Sequence, residues 1–125
     1  MIFAVQNGHI HVVKMLIAAD CDLKKVTKDG VTAIHVAALK GDTTMLNALV
    51  SAGCHINARA KDGATPVFVA ALRGHPLDVL IAAGCDVNLA DQNGETPIYI
   101  AAQDGHISAL RALIKVHTSK SDKAN

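Results

Sequence analysis

The 125-residue chain has no tryptophan, one tyrosine and two phenylalanines, so aromatic rings cannot build its core. A core of Ala, Val, Leu and Ile remains. Such side chains suit closely packed helices better than a twisted sheet rich in aromatics. Charge is also sparse, at 18% of residues, while half the chain is hydrophobic; that balance excludes a disordered polyelectrolyte. The formal net charge is only +1, and the basic clusters at Lys24-Lys25 and Lys120 to Lys123 are short. A nucleic-acid binder would show a basic stripe, so nucleic acid is not an expected partner. No apolar run approaches the roughly 18 residues of a membrane span, so no membrane is expected either. The opening Met1-Ile2-Phe3-Ala4-Val5 lacks the basic and long apolar segments of a secretory signal. Cysteines number three, an odd count, which points to a reduced, intracellular (cytoplasmic) protein.

What the chain does contain is a period. Gly8, Gly41, Gly74 and Gly105 are spaced 33, 33 and 31 residues apart, and three of the four are followed by His. Asp29-Gly30, Asp62-Gly63 and Asn93-Gly94 keep the same interval, as do Thr32, Thr65 and Thr96, and Cys21, Cys54 and Cys85. Four markers on one period identify an internal repeat.

Each unit reads physically. The Asp-Gly or Asn-Gly pair makes a tight turn, because Gly accepts positive φ without steric cost. The Thr two residues later is a helix N-cap, with Pro66 and Pro97 at the first helical position of two units. A short, nearly all-apolar helix follows, containing Ala37-Ala38, Ala70-Ala71 or Ala101-Ala102, and a Gly ends it. A second, more amphipathic helix comes next, as over His9 to Ala19 and His106 to Val116. In the latter Ile107, Leu110, Leu113 and Ile114 share one face.

These motifs resemble the ankyrin repeat family. The match stands as Gly30-Val31-Thr32-Ala33-Ile34-His35, Gly63-Ala64-Thr65-Pro66-Val67-Phe68 and Gly94-Glu95-Thr96-Pro97-Ile98-Tyr99, with Cys85-Asp86-Val87-Asn88 after Gly84. The resemblance implies an all-α solenoid of about four stacked helix-turn-helix repeats in a single domain over 1–125. Its units are expected at about 1–27 (partial), 28–60, 61–91 and 92–117, with a tail at 118–125. Each unit would be a β-turn finger projecting from two antiparallel helices.

Three departures from the pattern carry expectations. The chain begins inside a first helix with no finger before it, and the apolar Ile2, Phe3 and Val5 leave that end uncapped, which allows self-association there. The third unit is two residues short between Gly74 and Cys85. Two residues are about 200° of helical rotation, so that outer helix must start late or end in a tighter turn. The Asp expected at the finger base stands at Asp91 but is replaced by Thr27 and Ala60, which should weaken or remove the side-chain bonds that tie the finger down.

No catalytic set can be nominated. His9, His75 and His106 at the Gly-His position and His35 at the Thr-x-x-His position are expected to pack between repeats and bond to backbone. The cysteines match no zinc pattern, no disulfide is expected, and no cofactor or metal is implied. The expected activity is non-enzymatic: a module that binds another protein on its concave face. The alternative is a structural fragment of a longer ankyrin array. In ankyrin-like stacks the finger tips and the exposed ends of the inner helices line that face. Here they are Lys28, Asp29, Leu39, Lys40, Lys61, Asp62, Leu72, Arg73, Gln92 and Asn93.

Overall fold

A computed structural model describes residues 1–20 and 25–124, with side chains to residue 116. Its elements are eight helices: α1 (Ile2–Gln6), α2 (Ile10–Ala18), α3 (Ala33–Lys40), α4 (Thr43–Ser51), α5 (Pro66–Arg73), α6 (Asp78–Ala82), α7 (Pro97–Gln103) and α8 (Ile107–Ala124). Among the described residues there is no strand. α1–α2, α3–α4 and α7–α8 pack as sequential pairs, and the units stack. The inner layer runs α1, α3, α5, α7, each packed on the next, while α2, α4 and α6 stack outside them. The protein is an all-α stack of four helix pairs.

The inner helices form where the sequence sets their ends. Thr32, Thr65 and Thr96 are extended N-caps whose side chains accept from the backbone N–H of His35, Phe68 and Tyr99. Pro66 and Pro97 start α5 and α7, where a missing N–H costs nothing. Gly41 and Gly74 stop α3 and α5 in the left-handed conformation, with φ of 69° and 71°. Ala37, Ala38, Ala70, Ala71 and Ala101 are fully buried, and their single methyls let the inner helices approach closely. Ile34 and Val67 fill the seams. Leu46, Leu49, Leu77, Leu80 and Leu113 anchor the outer layer to the same core.

The short third unit resolves as a late start. α6 has five residues against nine in α4. Leu77, just before α6, and Leu80 within it are both buried. Counted back from Gly84 they take the places that Leu46 and Leu49 hold relative to Gly53. The two missing residues therefore come out of the first helical turn, and the buried leucine pair keeps its register.

Candidate functional site

The fingers and the C-terminal ends of the inner helices supply the ten residues singled out from the sequence. All ten are exposed. Each finger closes on itself: the N–H groups of Thr27, Ala60 and Asp91 donate to the carbonyls of Val31, Ala64 and Glu95 at 3.0, 3.0 and 2.9 Å. Adjacent fingers are tied by backbone bonds. The Lys61 N–H donates to the Asp29 carbonyl at 2.9 Å, and the Gln92 N–H to the Asp62 carbonyl at 2.7 Å. Lys28-Asp29, Lys61-Asp62 and Gln92-Asn93 therefore line up as neighbours with side chains outward. The Asp62 carboxylate is partly spent locally, since its Oδ1 accepts from the Ala64 N–H at 3.0 Å.

The finger bases differ from one another. Asp91 Oδ1 accepts from the N–H groups of Asn93 and Glu95, both at 2.9 Å. Thr27 Oγ1 makes the same two contacts, longer, with Asp29 at 3.3 Å and Val31 at 3.2 Å. A hydroxyl accepts as a carboxylate does, so that finger is weakened but not released. Only the finger on Ala60 loses the bonds, and Asp62 replaces one of them.

On the inner helices, Leu39 and Leu72 are 40% and 38% exposed, in contrast to the buried alanines beside them. Arg73 is exposed at the end of α5. Lys40 is exposed too, but its Nζ donates to the Gln6 carbonyl across the first junction. The sequence reading missed this contact. Its reason lies one unit on: His75 and His106 serve the equivalent carbonyls of Leu39 and Leu72, through Nε2 at 3.0 Å in both cases, while Asp42 stands at the histidine's place in the second unit. A carboxylate cannot donate, and Lys40 does so instead. Asp42 Oδ1 caps α4, accepting from the Met45 N–H at 3.1 Å.

His35 is the one buried histidine described. Its Nε2 lies 2.9 Å from the Ala64 carbonyl, which can only accept, so Nε2 carries the proton. Nδ1 then accepts from the Thr32 N–H at 3.2 Å and lies 2.8 Å from Thr32 Oγ1. Burial holds the imidazole neutral by pushing its pKa below the ordinary 6.5, although bonds to the Ala64 and Ala58 backbone oppose this. His35 thus caps α3 and clips the second unit to the third. Phe68 and Tyr99 occupy that position in the next two units and cannot repeat the bond.

Other features are structural in character. Arg59 donates to the Ala90 carbonyl at 2.9 Å, and Asn57 Oδ1 accepts from the Asp86 N–H at 2.8 Å, tying the segments after the outer helices together. Neither was anticipated, because the partner atoms belong to backbone. A groove of about 890 Å³ lies between Val26, Gly30, Thr32 and Ile34 and residues 53–59, away from Leu39 and Leu72. Cys54 and Cys85 form no disulfide, and burial pushes the Cys54 thiol pKa up. Cys21 lies outside the described residues. Among the described residues no three His, Cys, Asp or Glu side chains gather where a metal could sit. No described helix is long and apolar enough to cross a membrane.

The family model described as ankyrin repeats (3 copies) matches residues 1–81 and 77–125. No curated protein is matched by the chain.

Proposed function

We propose, from the premise that this chain belongs to the ankyrin repeat family, that it docks a partner protein on the face shared by its fingers and inner-helix ends. Ankyrin repeats are generally protein-interaction modules, and the family is generally non-enzymatic. The finer reading is that binding centres on Leu39, Lys40, Leu72 and Arg73, flanked by Lys28-Asp29, Lys61-Asp62 and Gln92-Asn93. One observation carries it. Leu39 and Leu72 keep about two fifths of their surface in solvent where the helix residues before them are buried or half-buried, and each is followed by an exposed cation. Arginine is enriched at interface hot spots, and the apolar side chains around one exclude water from it; Arg73 with Leu72 and Leu39 has that make-up. Lys40 has a second duty at the first junction, so Arg73 is the cation less committed to the frame. A cytoplasmic setting, and the exclusion of nucleic acid and membrane as partners, rest on the odd cysteine count, the low net charge and the lack of basic stripes.

The test is a photo-cross-linking side chain placed at Leu72, with the same side chain at Arg111 on α8 as control. Capture of a defined protein from Leu72 and not from Arg111 is the expected result. Equal capture from both positions, or capture from Arg111 alone, would refute the assignment.

A further inference from the structure

Two of the three junctions between units share one device, the first using Lys40 in its place, and that device stands half-made at both edges of the stack. The His75 ring lies over Gly41, where a Cβ would come within 2.6 Å of it, and its Nε2–H donates to the Leu39 carbonyl at 3.0 Å. The His106 ring lies over Gly74, where a Cβ would come within 2.5 Å, and donates to the Leu72 carbonyl at 3.0 Å. A glycine seat, a carbonyl two residues before it and a histidine from the following unit make the lock. Position by position, Gly105 is the next seat. Its φ is 72°, a Cβ there would meet nothing within 4 Å, and the Gln103 carbonyl accepts no hydrogen bond from the described residues. At the other edge stands the matching ring, His9. Its N–H donates to the Ala4 carbonyl at 3.0 Å, as that of His75 does to Ala70 at 2.9 Å, so the backbone is set alike, and the side chain is exposed.

Apolar surface follows the same logic. Phe3 is 79% exposed, whereas Ile100, its equivalent in α7, is 7% exposed; Val12 is exposed where Met45 and Ala109 are buried. These side chains face a preceding unit. On the opposite edge Ile98 and Tyr99 are 36% and 54% exposed, although their equivalents Ile34, His35, Val67 and Phe68 are buried against a following unit.

The geometry points to head-to-tail association of two copies of this chain, the α1–α2 edge of one stacking on the α7–α8 edge of the other. His9 seats over Gly105 and donates to the Gln103 carbonyl, while Phe3 and Val12 cover Ile98 and Tyr99. The contact is heterologous, so each pair keeps a free His9 edge and a free Gly105 edge, and growth is open-ended.

Sedimentation equilibrium of the 125-residue chain from micromolar to millimolar concentration tests this. The wild-type mass should climb with concentration without a plateau at the dimer. His9→Ala removes the donor at an exposed position, and Gly105→Asn fills the seat with a residue that accepts the left-handed backbone. Each should stay monomeric over the same range. Gly8→Asn, which makes the same backbone demand at a glycine where a Cβ would also meet nothing within 4 Å, should associate as wild type does. A mixture of His9→Ala and Gly105→Asn should reach the dimer and stop, because one intact edge of each kind remains. A monomeric wild type, variants that associate as wild type does, or a mixture that stays monomeric would each overturn the proposal. If Gly105→Asn lost its helical far-UV spectrum, His9→Ala alone would decide.

Discussion

The α3–α4 and α5–α6 pairs are neighbours built on one plan, and they meet its demands with different means. α4 has nine residues, an Asp42 cap and three buried anchors in Met45, Leu46 and Leu49. α6 has five residues, no side-chain cap and a buried pair, Leu77 and Leu80, half of it outside the helix. The inner helices α3 and α5 are almost interchangeable, each running eight residues from a Thr cap to a left-handed Gly. The difference teaches which parts of the unit are fixed. The inner layer and the leucines before the second glycine set the register. The first turn of the outer helix can be lost, because Leu77 and Leu80 keep the places of Leu46 and Leu49 without it.

This contrast can be broken by mutation, beginning with the largest effect. Leu80→Ala should cost roughly 3–5 kcal/mol and exceed the loss from Leu49→Ala, because α4 retains Met45 and Leu46 when Leu49 is cut back while α6 is left with Leu77 alone. Denaturant unfolding of the two variants checks the order; equal losses would mean that the shorter helix is not the more dependent one.

The second effect concerns the clip that α3 has and α5 lacks. His35→Phe copies the α5 arrangement and leaves the buried Thr32 N–H without its acceptor, for a cost of about 1–3 kcal/mol at neutral pH. The native pKa of His35 lies below 6.5, so the unfolded chain binds its proton first. The stability this group contributes is complete above 6.5 and declines as pH falls below it toward the lowered native value. The gap between wild type and His35→Phe should therefore narrow in acid. A gap that widens there would reverse the assigned protonation state.

Smaller effects sharpen the comparison at the outer layer. Asp42→Ala should cost about 1 kcal/mol by removing the cap that α6 does without. Asp20 has a φ of 60°, where Gly53 and Gly84 occupy the same place in later units. Asp20→Gly should raise stability by less than about 1 kcal/mol, as relief of the left-handed strain is offset in part by the freedom glycine gains when unfolded. Thermal melts of both variants measure these shifts.

Much of this was legible beforehand. Thr caps, Gly stops and the Ala pairs mark the inner helices in the sequence, and the 33, 33, 31 spacing places the short outer helix in the third unit. The rest depends on relations between units. Nothing in the residues around Lys40 says that it serves the Gln6 carbonyl; that follows from Asp42 failing to donate there. Thr27 keeps a weakened tie where Ala60 keeps none, because the bond needs only an acceptor oxygen at that distance. An apolar side chain at the end of an inner helix reads alike for packing and for exposure, and the stack leaves Leu39 and Leu72 partly in solvent. The ten candidate residues are all at the surface.

The direct test of the docking face is a binding titration with the protein captured from Leu72. Leu72→Ala and Arg73→Ala should each weaken binding by about 1–2 kcal/mol, roughly five- to thirtyfold in Kd, with the helical spectrum and melting retained. Lys14→Ala on α2 and Arg111→Ala on α8 should change it little. Loss of binding from the outer-helix variants with Leu72→Ala and Arg73→Ala unaffected would contradict the account, as would unfolding of Leu72→Ala, which would make that side chain part of the core.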